Sequence, residues 1–192
     1  MAAADDREWD ARRDGEAPSE PSDLDFWSFV RLANRTLAQE YGSRHQEATE
    51  LLLTLNRASE LVTYDLESAV HRPRGRSWAA FRLMFVVWLA GPLESKAVAR
   101  LTGSTRAAVS NLTKPLVDEG LLRRDPDERD GRAVRLSLTD AGRAEMVEVF
   151  RRHNERENEW AAGLTATEQR MLVMLLDKLI AGRRRFVAHE RH

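Results

Sequence analysis

The sequence of 192 residues contains no cysteine. Disulfides, Cys-ligated zinc and thiol-based redox sensing are therefore excluded. Histidine is also sparse, and only the two near the end of the chain stand at the spacing of neighbouring metal ligands on one helix. We therefore predict no metal site and no bound cofactor. The five histidines are His45, His71, His153, His189 and His192.

Long hydrophobic runs are absent as well. No apolar stretch approaches the roughly 20 residues that a membrane-spanning helix needs. No charged segment followed by an apolar one precedes a small-residue cleavage site, as a secretory leader would require. The sequence therefore predicts a cytoplasmic protein.

The sequence also lacks the motifs of common catalytic sites. There is no Gly-rich phosphate loop, no H-E-x-x-H, no G-x-S-x-G and no pattern of paired carboxylates. His153, Glu155 and Glu157 lie close together among arginines, which is typical of a solvated helix face. We therefore predict that the protein is not an enzyme.

The formal net charge of −1 conceals an uneven distribution. Residues 1–25 contain nine acidic residues and three arginines, a local net charge of −6, which leaves +5 for the remainder. Residues 1–21 have almost no apolar side chains, so we expect a disordered acidic tail. The rest of the chain has the charge balance of a protein with a basic working surface.

Apolar residues recur every three or four positions in most of the chain, which predicts a mainly α-helical fold. A capping box, Thr165 with Glu168, opens the last helix, and Thr139 is placed to cap the one before it. The exception is residues 121–140, where apolar and polar residues alternate around a Gly-containing tip and predict one β-hairpin. The predicted helices cover 23–41, 45–70, 77–90, 94–101, 104–119, 140–161 and 166–187.

Two of these helices have the spacing of a helix-turn-helix. Ala99 permits a close crossing, Gly103 permits a left-handed turn, and Val109 and Leu112 anchor the second helix from behind. An ordinary helical hairpin with a polar face is the alternative. The outward side chains suit contacts with base edges and phosphates, so we predict double-stranded DNA binding. They are Ser104, Thr105, Arg106, Ser110, Asn111 and Lys114.

Basic residues also mark the hairpin that follows. It carries Arg123, Arg124, Arg129, Arg132 and Arg135. An arginine at its tip is suited to an adjacent minor groove, where the negative potential favours a guanidinium group. Asp130, two residues before Arg132, is placed to hold that arginine extended. The alternative is a solvated charged turn.

The tip sequence DERDGR, residues 127–132, resembles the D-x-R-D-x-R wing of the MarR (multiple antibiotic resistance regulator) family, and LSLTDAG resembles its junction with the next helix. The resemblance implies a homodimeric winged-helix regulator in which 77–139 form the DNA-binding lobe and 22–70 with 140–187 form the dimerisation region. The last residues, 188–192, are expected to fray. By position, Arg132 would enter the minor groove, Asp130 would orient it, and 104–114 would read the major groove. Arg129, also at the wing, is a further predicted DNA-binding residue.

The additional helix at 23–41 resembles the urate-responsive branch of that family, in which an N-terminal tryptophan lies near the ligand site. Here that residue would be Trp27, although Arg82 stands where the branch has an acid. Trp78, Phe81 and Phe85 form part of an aromatic stripe on the buried helix, together with Trp88. The stripe is either core packing or, with Trp27 and Arg82, a site for a small aromatic or anionic effector. His71, in the loop before it, is expected at the surface.

Together these features predict a homodimeric repressor that binds palindromic operators and is released by such an effector. The alternatives are a winged helix that mediates protein–protein assembly, or a regulator without an effector. An assembly module would show an apolar or acidic face on 104–114. A metal-responsive repressor is disfavoured by the absence of cysteine.

Pro115 lies inside the second helix of the predicted helix-turn-helix. A proline there removes one backbone hydrogen bond and costs about 3 kcal/mol where the helix does not adapt. Leu116 and Val117 nevertheless continue the apolar face, and Gly120 provides a stop. We predict a bend at Pro115 with helix on both sides.

Overall fold

The computed structural model describes residues 25–42, 45–126 and 134–182. The chain divides into two compact units, with the boundary between Leu61 and Val62. The fold is mainly α-helical with one small antiparallel sheet, as predicted. Within the described residues, no helix is long and apolar enough to span a membrane.

The described part of the first unit is a pair of helices. α1 spans Phe26–Tyr41, and α2 begins at Gln46 and runs to Leu66. Asp25 caps α1 by accepting a 2.7 Å hydrogen bond from the Ser28 N–H, so α1 starts three residues later than predicted. The Gln46 side chain donates to the Asn34 carbonyl over 3.0 Å and so joins the two helices.

The end of α2 differs from the regular helix predicted to residue 70. It passes into a π-helical turn at Glu67–His71 and a 3₁₀ turn at Arg72–Arg74, and Gly75 then takes a left-handed φ of 69°. A π-helical turn is rare, and where it occurs inside an α-helix it often marks a functional position.

The second unit is built around the buried helix α3, Trp78–Ala90, which Ser77 caps. α4 spans Ser95–Thr102 and α5 spans Arg106–Asp118. The side chains that face α3 from these helices and from the sheet form one hydrophobic core. Its most completely buried members include Leu83, Met84, Val98, Val109, Leu116, Leu122, Leu136 and Met146.

The sheet has three strands in the order β1-β3-β2. The predicted hairpin is confirmed as β2, Leu122–Pro126, paired antiparallel with β3, Val134–Leu138. The structure adds a short strand that the sequence did not reveal, β1, Leu93–Glu94, which pairs with β3. Two residues are too few for an alternating pattern to be visible in the sequence.

Two long helices complete the unit, α6 at Asp140–Ala161 and α7 at Ala166–Gly182. Both predicted caps are confirmed. The Gly142 N–H donates to the Thr139 hydroxyl over 3.0 Å, and the Thr165 N–H donates to the Glu168 carboxylate over 2.6 Å. The reciprocal bond, from the Glu168 N–H to the Thr165 hydroxyl, measures 3.3 Å and completes the capping box.

An ion pair joins the last turns of α2 to α6. Both oxygens of Asp65 accept hydrogen bonds from Arg156, at 2.6 and 2.7 Å, and the Trp160 indole N–H donates to the same carboxylate over 2.8 Å. The bonds from Arg156 and then from Trp160 lower the pKa of Asp65 to about 2. This carboxylate therefore stays ionised throughout the neutral range and holds the two helices together.

Candidate nucleic-acid interface

The helix-turn-helix is formed by α4, a tight turn and α5. Gly103 has a φ of 67°, the left-handed conformation that its spacing predicted. The next N–H, of Ser104, donates to the Ala99 carbonyl over 2.9 Å and closes the end of α4. Ala99 and Val109 are both buried, so the two helices pack through the predicted positions.

The opposite face of α5 is polar and open to solvent. Thr105, Arg106, Ser110, Asn111 and Lys114 are exposed, and Ser104 is half-buried. The Thr105 hydroxyl accepts from the Ala108 N–H over 3.1 Å, so it caps the helix and keeps its own proton for another partner. The helix start also presents the positive end of the helix dipole. Five of the six residues predicted to contact DNA are therefore open to solvent, on α5 or at its cap.

Pro115 does not interrupt α5, because the helix continues to Asp118 on its far side. The prediction of helix on both sides is confirmed. Leu116 is buried, as the continued apolar face required, and the Leu121 N–H bonds the Leu116 carbonyl over 2.9 Å. Asn111 and Pro115 are both exposed, so the backbone bond that proline removes lies on the solvent side.

A surface groove of about 550 Å³ extends the polar face of α5 onto the sheet. It is lined by Ser110, Asn111, Lys114, Pro115 and, from β2, Arg124. The sequence placed Arg124 in a basic hairpin but did not connect it with α5. Arg124 lies two residues after the buried Leu122, so the alternation of a strand places both side chains on the same face. The distance from Arg124 to α5 depends on the tertiary fold and could not be predicted from this spacing.

The other described arginines of the hairpin are engaged within the protein. The Arg123 Nε donates to Asp125 and to the Ser137 hydroxyl, both over 2.9 Å. The hydrogen bond from Ser137 and the pairing with Arg123 lower the pKa of Asp125. The tip residues Arg129, Asp130 and Arg132 lie outside the described residues, so their roles stay predictions.

The predicted effector residues fall into separate settings. Trp27 lies on α1 in the first unit, edge to face with Phe26 at 5.1 Å between ring centroids. In the second unit, Trp78, Phe81 and Phe85 stack along α3, with 5.7 Å between successive centroids. Arg82 donates instead to the Thr102 carbonyl at the end of α4. Arg82 thus connects the buried helix with the helix-turn-helix.

Two predictions about histidine were wrong. His71 was expected at the surface and is fully buried at 0% exposure, while His153 was assigned to a solvated face and is 3% exposed. Their rings lie 5.3 Å apart, and each packs on Phe81, at 4.2 and 4.5 Å. The local sequence misled because both residues have charged neighbours, whereas their own positions continue the apolar faces of α2 and α6.

The surroundings of this pair favour the uncharged form of both rings. Burial, and to a lesser extent His153, lower the pKa of His71 to about 4, against a smaller opposing effect of Glu67. Burial also lowers the pKa of His153, although the Glu157 carboxylate opposes this by accepting a 3.1 Å hydrogen bond from its Nε2. Both ring nitrogens of His71 are buried without a hydrogen-bond partner. Within the described residues, no group of three or more acidic or histidine side chains is placed to hold a metal ion.

A helix-turn-helix followed by an antiparallel hairpin, with the polar side of its second helix exposed, defines the class of winged helix-turn-helix DNA-binding proteins. Sequence comparison identifies the family, because residues 74–133 match the MarR family. The uncharacterized HTH-type transcriptional regulator YwaE of Bacillus subtilis (strain 168) is 33% identical over 137 residues, covering 71% of this chain and 80% of YwaE. The chain belongs to the MarR family of DNA-binding transcriptional regulators.

Solved structures support the same fold. The transcriptional repressor CouR, solved bound to a 23-mer DNA duplex, is 24% identical and has a TM-score of 0.64, over 71% of this chain and 97% of CouR. Bordetella bronchiseptica BpsR, whose DNA binding is regulated by 6-hydroxynicotinic acid, is 24% identical with a TM-score of 0.61, over 66% of this chain and 89% of BpsR. This family consists of transcriptional regulators, in agreement with the absence of catalytic motifs.

Proposed function

We propose that the protein is a homodimeric repressor that binds palindromic operators through Ser104, Thr105, Arg106, Ser110, Asn111 and Lys114. The observation that carries this proposal is the polar surface of residues 104–114, which includes the exposed cations Arg106 and Lys114 and contains no acid; Asp118, the exposed acid of α5, lies one turn beyond it. An assembly module would present apolar or acidic groups there. Arg124, across the groove from Lys114, supplies a further cation for a phosphate.

Two copies are inferred from the apolar surface of the helices outside the DNA-binding lobe. No described residue of α7 is buried, although the helix contains Met171, Leu172, Leu175, Leu179 and Ile180. In the first unit, Phe29, Leu32, Leu51 and Leu52 are also exposed. Faces of this kind are covered in a stable protein, and a second copy is the partner that the family resemblance implies.

The operator experiment tests both parts of the proposal. Selection from a random duplex pool is expected to enrich inverted repeats with half-sites one DNA turn apart, about 34 Å, because a two-fold dimer spaces its recognition helices that way. Sedimentation should show one dimer on each duplex. Enrichment of a single unrepeated site, or a monomer on the DNA, would contradict the proposal.

Two variants distinguish a phosphate contact from a base contact on the selected duplex. Lys114→Ala should weaken all DNA binding and lower the salt slope by about two, because each of the two subunits loses one phosphate contact. Asn111→Ala should cost about 1–3 kcal/mol on the operator and leave non-specific binding unchanged. Lys178→Ala, on exposed α7, removes the same charge elsewhere and is expected to change neither quantity.

The proposed effector is a small aromatic or anionic molecule at the aromatic stripe. Support comes from His71, whose ring lies beside Trp78 and Phe81. Its two ring nitrogens are buried without a hydrogen-bond partner, and a polar ligand would supply one. The ligand that acts on BpsR belongs to this chemical class. An effector lowers DNA affinity if it binds better to a dimer whose recognition helices are wrongly spaced.

Tryptophan fluorescence during titration with 6-hydroxynicotinic acid and related aromatic acids tests this site. Trp27→Phe tests the effector contact predicted on α1, and Arg82→Ala tests the one predicted on α3. A residue that contacts the acid should, when replaced, weaken binding of the acid that responds best by about tenfold. The same acid should lower operator affinity. If affinity for the acid is unchanged in both variants, these two residues do not belong to the site.

A further inference from the structure

Arg76 connects the end of α5, the proposed recognition helix, with α6, although it belongs to neither. It lies between Gly75 and the cap of α3. Its Nη1 is 2.5 Å from a carboxylate oxygen of Glu119, and its Nε donates to Glu145 over 3.0 Å. Its side chain is only 16% exposed. The guanidinium group is thus largely removed from water and paired with two carboxylates on different helices.

Glu119 is attached to the carboxyl end of α5. It is the residue that follows α5, and its N–H donates to the Pro115 carbonyl over 2.9 Å. Glu145 lies on α6, one residue before the buried Met146. A planar guanidinium that bonds both carboxylates fixes direction as well as distance. The carboxyl end of α5 is therefore held to α6 by a group outside both helices.

The backbone of Arg76 is attached to the buried histidine cluster. Its N–H donates to the His71 carbonyl over 3.1 Å, and the turn between them is closed by the Gly75 N–H on the Arg72 carbonyl at 2.9 Å. A displacement of His71 would therefore be transmitted through this short segment to the guanidinium group. The segment joins the proposed effector site to the recognition helix through consecutive bonds.

We propose that Arg76 is a positioning residue that sets the orientation of the recognition helix through Glu119, so that operator affinity depends on an arginine that does not contact DNA. This inference rests on the proposed DNA-binding role of α5. This role belongs to the RPRGR turn, residues 72–76, for which the sequence predicted only a gap between the helices at 45–70 and 77–90.

The loop provides a matched control. Arg74 is two residues away and pairs with Glu148 of α6 over 3.3 Å. Arg74→Met and Arg76→Met each remove one cation and one ion pair with α6, but only the second releases Glu119. Operator affinity should fall at least tenfold in Arg76→Met and less than twofold in Arg74→Met, with the salt slope unchanged in both, because neither residue binds a phosphate.

Glu119→Gln distinguishes positioning from simple electrostatics. Removal of a negative charge from a DNA-binding lobe should tighten DNA binding if charge alone mattered. Positioning predicts the opposite sign, a loss comparable with that of Arg76→Met. Tighter binding by Glu119→Gln, an equal effect of the two arginine variants, or a salt slope lowered by about two in Arg76→Met, one phosphate contact per subunit, would each overturn the proposal.

A measurement without DNA separates this inference from the proposed function. In hydrogen exchange at neutral pH, the amides of Glu119, Gly120 and Leu121 should exchange faster in Arg76→Met than in Arg74→Met, while those of α3 stay equally protected in both. If the wild type bound no duplex, the proposed function would fail, and this comparison would still decide whether Arg76 holds the helix. Equal exchange at the three amides would overturn the positioning role.

Discussion

Gly142→Ala is expected to destabilise the protein by about 3 kcal/mol or more, because the added methyl group would collide with backbone atoms. A Cβ at this position would lie 2.0 Å from the Leu121 carbonyl oxygen and 2.9 Å from its carbon. No side-chain rotation relieves such a contact. Either the start of α6 or the segment between α5 and β2 has to move.

The same junction contains several bonds that the movement would break. The Thr139 N–H donates to the Leu121 carbonyl over 3.0 Å, and the Thr139 hydroxyl donates to the Gly120 carbonyl over 2.6 Å. The glycine N–H in turn completes the cap of α6. Close backbone approach, rather than an unusual φ, is therefore the reason for glycine at this position.

Urea unfolding at one fixed protein concentration would measure the effect, since the stability of a dimer depends on concentration. Gly163→Ala is the matched control, because a Cβ there meets nothing within 4 Å and the change should stay within about 0.5 kcal/mol. Equal urea midpoints for Gly142→Ala and Gly163→Ala would show that the backbone at this junction can move without loss of stability, which would contradict the prediction.

The features that the sequence predicted are those that short segments determine. Thr139 as a cap, the capping box of Thr165 with Glu168, and the left-handed Gly103 each depend on groups within a few residues. The helix beyond Pro115 was also predictable, because Leu116 continued an apolar face already set by Val109. Local chemistry and the apolar period agreed at all of these positions.

The errors arose where local composition and helical period disagreed. His153 has arginines and glutamates beside it, which indicated solvent, yet it stands four positions after the buried Val149 and seven after Met146. That spacing places it on the core face of α6. The helical period therefore predicts the burial of His153 correctly, whereas its charged neighbours in the sequence lie on the solvent-facing side of α6.

Contacts between residues far apart in the chain could not be predicted from the sequence, for a different reason. Arg76 is separated from Glu119 and Glu145 by 43 and 69 positions, and nothing in a one-dimensional pattern brings them together. Arg124 lines the same groove as Lys114 only because β2 packs against α5. The sequence identified the basic residues of the site, whereas their grouping depends on how the helices and the sheet pack.

The stability of the folded protein is expected to fall by about 3 kcal/mol between pH 6.5 and pH 4 because of His71 alone. Burial lowers the pKa of this imidazole from 6.5 to about 4 in the folded state. In that interval the unfolded chain binds a proton at His71 and the folded chain does not, so acid favours unfolding. Above pH 6.5 both states are neutral at this position, and below pH 4 both are protonated, so no further change arises from it.

The charged and titratable groups around His71 are His153 on α6 and Glu67 on the π-helical turn. A proton on His153 would oppose one on His71, while ionised Glu67 favours it. His71→Phe keeps a ring against Phe81 and removes the titration. Its stability should therefore depend less steeply on pH between 6.5 and 4 than that of the wild type, whatever the substitution costs at neutral pH.

Urea unfolding at intervals from pH 7.5 to 4, at constant ionic strength and protein concentration, would give both slopes. The carboxylates contribute equally to wild type and variant, so the difference between the two curves isolates His71. NMR of the imidazole protons provides a direct check, since His71 should remain neutral at pH 5. Parallel stability curves, or a His71 that titrates near 6.5, would show that this ring is not held neutral by burial.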